Sequence, residues 1–533
     1  MSIESYAGRG ESDTATEWHR VAKIRLLIWP VILGPLLVPA VIIFLLAGAR
    51  PWNAGFVAMV VVACWPVVVA ATFGLDWLDW RAARHRVTGE HFDLRSGVVW
   101  RKRQSISRGR IRSVDVSANP VYRIFGLAVV RVGTGESVGA FEDSELKLDG
   151  VTRERADELR RQLLRRAPTR AYGPAGNVEA AETGGSPESR TVVELARMRR
   201  SWLRFAPLTL SVVLVIAAGL LGTAGDVFGG ASGALASFLR DAVDVVGSIW
   251  LLATVALVAA LLSGFVGSLL LFVEAWWNFR LLREPGGTLR VMRGLLTARS
   301  VSLEESRLRG AEVVEPLLVR WAGGARVNAV ATGLSSKKES NKAADRKALL
   351  PPAPRVDAQR VAGDVIGEAI LGRLRLTGHP RAALRRRLVW AVSPIMLLVA
   401  ALASLGYVFN WMPGWTWAAS LALLPLAATA AYDAFRSLGH GLSSRHLVSR
   451  YGTGIRRTVA LQRDGVIGWN VSQSPFQRRA DLVTVAATTA AGNGAYKVRD
   501  ARTGAALAFA DDAVPGLLRP FLVGMTDGEG TQS

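Results

Sequence analysis

Four basic clusters are the residues best suited to chemistry: Arg101-Lys102-Arg103, Arg123 between Tyr122 and Phe125, Arg320, and Arg478-Arg479. Guanidinium and ammonium groups beside aromatic or apolar neighbours suit an anionic lipid headgroup or an acidic partner surface, with the apolar neighbour resting in the interface. The plainer reading of the same residues is a solvated basic face. Nothing else points to catalysis. Walker loops, nucleophile elbows and HExxH motifs do not occur, and His85 and His91, six apart, have no evident partners for a metal. Cys64 stands alone, so an intrachain disulfide or thiol metal site is excluded. Asp76 and Asp79 lie beside Trp77 and Trp80 and read as interfacial residues at a helix end. The expectation is therefore no catalytic, cofactor-binding or metal residues, and no enzyme.

The elements that must position these clusters come in blocks. Leu26–Gly48, Trp52–Leu75, Phe205–Gly225, Val245–Val273, Leu388–Phe409 and Trp415–Ala431 contain no Asp, Glu, Lys, Arg or His. Each suits a membrane helix, since about 20 apolar residues cross a hydrocarbon core of about 30 Å. The first run is too long, and too far from the start, for a cleaved signal. Arg20, Lys23 and Arg25 precede the first pair, Arg197, Arg199, Arg200 and Arg204 the second, and Arg381, Arg385, Arg386 and Arg387 the third, whereas the loop inside each pair is poor in basic residues. The positive-inside rule then places both termini and the large polar segments in the cytoplasm, the chain being a multi-pass membrane protein. The net charge of +22 reads as this bias plus contact with anionic lipid, and nucleic acid is not an expected partner.

Each pair is followed by a polar segment, and the segments align. Gly97, Ile106, Ile111, Val116, Ser117, Pro120, Arg123 and Leu127 fall without a gap on Gly452, Leu461, Val466, Val471, Ser472, Pro475, Arg478 and Leu482. In the middle segment Gly294, Leu303, Leu308, Val313 and Arg320 take the places of Gly97, Ile106, Ile111, Val116 and Arg123, with Pro316 displaced by one. Residues 91–106 read as a hairpin about Ser96-Gly97, and Ile111, Val114 and Val116 share a strand face. Residues 152–166 switch to helical period, with closing helices also expected at Ala358–Leu371 and Asp511–Leu522.

Pro120 ends a strand and leaves room for one helical turn, closed by Gly126. The favoured expectation is that Tyr122, Ile124 and Phe125 plug one end of a small barrel. The alternative is an apolar tip in the lipid interface beside Arg123.

The order of hairpin, "RIRSVDV" and "NPVYRIFGL" resembles the bacterial pleckstrin-homology-like domain, group 2, and three copies behind paired membrane helices is similar to its YdbT-type membrane proteins. The resemblance implies an α+β integral membrane protein: three units, each a transmembrane helical hairpin followed by a cytoplasmic PH-like seven-stranded β-barrel with a C-terminal capping helix. It carries no established activity. The expected layout is a tail over 1–25, hairpin 26–80, PH-like domain 81–168, linker 169–190, hairpin 200–276, PH-like domain 277–375 with a disordered insertion at 335–354, hairpin 385–432, PH-like domain 433–524 and tail 525–533. The expected role is a non-enzymatic membrane scaffold without cofactors, its partners the bilayer and either a protein partner or a second copy. A transporter or channel for a neutral or lipid-like substrate is the alternative, weakened by the uncharged spans.

Overall fold

The structure, a computed structural model, describes residues 18–28, 54–88, 90–97, 102–111, 113–133, 145–164, 192–208, 249–332, 346–409 and 415–518. The chain forms two units: residues up to Val193 together with Leu282–Ser306, and Glu194–Leu281 together with Arg307 onward.

In the first unit one sheet runs in the order His19–Arg20, Arg84–Val87, His91–Ser96, Lys102–Ser107. A second contains, in order, Glu145–Thr152, Leu127–Gly133, Ser113–Ala118, Ala298–Glu304 and Thr288–Arg293. The amphipathic helix Arg153–Leu164 covers their apolar faces, with Ala156, Leu159 and Leu163 meeting Phe92, Ile111, Val114, Val130 and Leu148 in one core. The strand His19–Arg20 precedes the first apolar run, and Val21 joins this core. The segment read as a tail therefore supplies part of the barrel.

In the second unit the sheet order is Ala348–Pro354, Gly324–Ala331, Leu308–Pro316, Ile455–Gln462, His446–Tyr451, Gly439–Leu442. A separate sheet orders Gly468–Ser472, Leu482–Thr488 and Ala495–Arg502, capped by Thr503–Ala513. The hairpin turns depend on glycine at the aligned positions. Gly97, Gly294 and Gly452 all have positive φ, and a Cβ on Gly294 or Gly452 would lie 2.0 Å from a carbonyl oxygen across the turn.

Three sequence expectations need correction. Residues 348–354 are a strand with Leu349, Leu350 and Ala353 buried, so the insertion is at most 335–347, of which 335–345 lie outside the described residues. Pro351, Pro352 and Pro354 misled because proline cannot serve a central ladder, yet this strand is at a sheet edge. The closing helices are Arg355–Ile366 and Thr503–Ala513, both starting earlier than periodicity placed them. Small residues, Ala505, Ala506 and Gly504, conceal the apolar stripe of the latter. Finally, Phe205 and Ala206 are fully buried in a 3-10 helix, Arg200–Leu208, with Phe205 against Gly324, so the second pair's first apolar run begins as barrel core.

Among the described residues, Arg381–Tyr407 and Thr416–Arg436 are long and apolar enough to cross a membrane, and their side chains are mostly uncovered by protein. Helices also occupy Ala54–Ala82 and Ile249–Trp276. Leu26–Gly48 beyond Ile28, most of Phe205–Gly225, the linker 169–190 and the tail 525–533 fall outside the described residues.

Candidate membrane-facing site

The proline turn becomes a one-and-a-half-turn helix in all three strand series: Pro120–Ile124, Leu317–Trp321 and Pro475–Arg479. Its φ is preset where proline sits at the first helical position. In the third, Ser474 caps the helix by accepting from the Gln477 backbone N–H at 3.2 Å, while the Gln477 side chain accepts from the Ser474 N–H at 2.9 Å.

One position of each turn points inward. There Val319 is fully buried, Gln477 is buried, and Tyr122 is half-buried with its hydroxyl donating to Asp149 Oδ1 at 2.6 Å. Burial, reinforced by the Asp149 carboxylate, raises the Tyr122 pKa, so the phenol stays a donor. Two residues on, the side chains point out: Ile124 is 81% exposed and Trp321 73%. Phe476, one residue before Gln477, is 67% exposed. The plug reading therefore fails for Ile124; Tyr122 and Phe125 are both half-buried, and Tyr122 is bonded to Asp149 of the strand Glu145–Thr152. Five residues cannot turn every apolar side chain the same way, because a helix advances about 100° per residue.

The arginine between those positions is held differently in each turn. Arg320 reaches Asp433, on the helix Leu423–Arg436, at 2.7 Å. Arg123 donates to the Leu295 carbonyl at 2.6 Å. Arg478 and Arg479 are exposed. Of the basic hairpin cluster, Arg103 is exposed on the strand Lys102–Ser107, Lys102 is in that strand, and Arg101 lies outside the described residues. The structure thus places Arg103 on the terminal strand of a sheet other than the one whose strands flank the one-turn helix of its own series.

Sequence reasoning missed what fastens these turns. Asp500, buried with φ +58°, accepts from Gln477 Nε2 at 2.9 Å, from Arg386, and from Arg387 at 3.2 Å. Arg386 and Arg387 lie in the first turns of the apolar helix Arg381–Phe409, so a buried ion cluster ties the third one-turn helix to the start of that helix. In the first series Arg25 lies against Gly150, whose carbonyl accepts from Ala22, and Arg25 pairs with Asp76 at 3.1 Å. Trp80 Nε1 donates to the Val21 carbonyl at 2.9 Å. Asp76 and Trp80, read as interfacial residues, thus also bind the barrel to its helix. In the middle series the corresponding fastening is apolar: Phe205 lies beneath Gly324, and Trp202 of the same 3-10 helix is buried against Phe279. The signal for Asp500 was its place in a strand pattern where a charged residue should not be buried.

His85 is also other than expected. It is buried, packs on His19 at 5.9 Å, and aligns with His440, which packs on His379 at 5.1 Å. Burial first, then neighbouring positive charge, pushes His85 and His379 down to about 4. Among the described residues no group of three metal-ligating side chains gathers.

Comparison with known proteins agrees with this construction. The bacterial PH domain family matches residues 33–167 and 394–511, and both matches start within the apolar pair and end in or near the closing helix. The UPF0699 transmembrane protein YdbT of Bacillus subtilis strain 168 is 21% identical over 449 residues, covering 81% of this chain and 83% of that protein. No solved structure matches. Neither name denotes an enzymatic reaction. With PH-like segments built onto apolar helices, this chain is similar to YdbT-type membrane proteins and matches the bacterial PH domain over residues 33–167 and 394–511.

Proposed function

We propose that the chain is a non-enzymatic, multi-pass scaffold of the bacterial plasma membrane, made of three repeats of a helical hairpin and a cytoplasmic PH-like barrel. The barrels lie with their one-turn helices against the inner leaflet, and their remaining surface is offered to protein partners. The observation that carries this is the exposed apolar residue in each turn, Ile124, Trp321 and Phe476, next to Arg123, Arg320 and Arg478. An exposed aromatic or branched side chain with a neighbouring cation suits the headgroup boundary. The fastening of two of these turns to residues at the ends of apolar helices, through Asp433 and Asp500, supports that height. Basic residues flanking each hairpin support cytoplasmic termini.

The test uses single cysteines at 124, 321 and 476 in a Cys64→Ala chain, carrying a polarity-sensitive fluorophore in proteoliposomes with anionic lipid. All three sites are expected to show blue-shifted emission quenched by headgroup-level lipid quenchers, unlike an equally exposed control at Val356. Water-like emission at all three would refute the placement.

A further inference from the structure

The strands that precede the first two one-turn helices are each completed by the next series. Ser113–Ala118 pairs antiparallel with Ala298–Leu303, Ser113 opposite Leu303 and Val116 opposite Ser300. Leu308–Pro316 pairs with Ile455–Gln462, Gly310 opposite Leu461 and Val313 opposite Thr458. Gly310 is the aligned counterpart of Ser113, and Leu303 and Leu461 are both counterparts of Ile106. The two junctions therefore share one register, residue for residue, although their sequences differ.

Among the described residues, Gly468–Ser472 is the terminal strand of its sheet, and Lys102–Ser107, the counterpart of the incoming strand, is the terminal strand of the first. Exposure follows the pairing. Val313 is 3% exposed, while its counterpart Val471 is 45% and the adjacent Ile467 is 67%. Gly468–Ser472 carries no charge and nothing that blunts pairing, as edge strands otherwise do.

We propose that Gly468–Ser472 is completed by Lys102–Ser107 of a second copy of this chain, with Ile106 opposite Gly468 and Arg103 opposite Val471. The inference rests on the threefold repetition proposed above. A second copy is the occupant because the complement that this edge accepts is defined twice within the chain itself, and the first series offers that complement with a terminal edge. The contact joins unlike edges, so each added chain presents one of each again. Head-to-tail rows, or rings where the rotation closes, are the result.

The test is disulfide trapping of full-length chains in membranes, in the Cys64→Ala background. Directly opposed antiparallel Cα atoms lie about 4.5–5.5 Å apart, within disulfide reach. One tagged chain carries Arg103→Cys, a differently tagged chain Val471→Cys. Oxidation is expected to yield a mixed dimer bearing both tags, and no dimer when Ser107→Cys, four residues out of register, replaces Arg103→Cys. The chain with both Val116→Cys and Ser300→Cys is the internal control and should close an intrachain bridge at the same register. Failure of the mixed dimer while the control closes would overturn self-association alone. Failure of the control would overturn the shared register and the repeat reading with it. A chain carrying both Arg103→Cys and Val471→Cys that closes only on itself, even among excess cysteine-free chains, would overturn the second copy as occupant.

Discussion

Asp500 shows how one side chain can tie a barrel to an apolar helix. It is buried at a positive-φ position, where its carboxylate gathers Arg386, Arg387 and Gln477. Removing one member of a buried ion cluster leaves the others uncompensated and costs about 3–5 kcal/mol. Asp500→Asn keeps a residue that tolerates left-handed backbone and so isolates the charge. A loss on the order of 3 kcal/mol is expected in detergent unfolding, with Asp500→Ala losing about 1–2 kcal/mol more from backbone strain. An Asn variant as stable as the parent would show that the cluster is only solvated charge. His85 behaves oppositely, being held neutral. Its folded pKa of about 4 lies below the ordinary value of about 6.5. Below about pH 6.5 the unfolded chain takes up a proton that the fold refuses, so stability falls as pH drops toward about 4, by up to about 3 kcal/mol from this group. His85→Phe should lessen the drop in melting temperature between about pH 7 and about pH 4.5; an equal drop in both proteins would contradict the assignment.

Among the elements, the hairpins were the most legible in the sequence, because Gly97, Gly294 and Gly452 carry a backbone requirement that no other residue type meets. Ile111, just before the strand Ser113–Ala118, and Val114 within it were also placed in the core correctly. The proline strand 348–354 and the alanine-rich helix 503–513 were not legible, since edge position and small-residue packing depend on partners distant in sequence. The one-turn helix was half legible: its existence followed from Pro120 and Gly126, but which of Tyr122, Ile124 and Phe125 faced inward depended on Asp149. Gly452→Ala and Gly454→Ala separate backbone strain from collision. Both have positive φ, but a Cβ on Gly454 meets nothing within 4 Å, whereas on Gly452 it meets the Ile455 carbonyl. Gly454→Ala should cost about 1–2 kcal/mol and Gly452→Ala clearly more, read as the difference between their unfolding midpoints. Equal losses would mean that the turn relaxes freely.

At the scale of the molecule, a segment boundary drawn from the sequence is not a folding boundary. The strand Ser113–Ala118 has Ala298–Leu303 as its neighbour, and the helix Arg153–Leu164 sends buried Arg160 to Glu284 at 2.7 and 3.1 Å and to Ser302 at 3.2 Å. Burial raises the Glu284 pKa, but Arg160 and Arg290 outweigh it and hold the carboxyl below its usual range, so this lock is ionic. A chain ending at residue 193 keeps every residue of the first series yet loses the strand beside Val116 and the carboxylate beside Arg160. Losing a paired strand opens an edge, and an unpaired buried guanidinium costs several kcal/mol. Residues 1–193 alone should therefore melt early and associate, and the same segment joined by a flexible Gly/Ser linker to residues 282–306 should regain a cooperative, higher transition in the same detergent. Glu284→Gln in the linked form should forfeit part of that gain, since it removes the charge while leaving the strand. If the 193-residue chain already unfolds as late as the linked one, the borrowed strand contributes nothing to folding and the first barrel is self-sufficient.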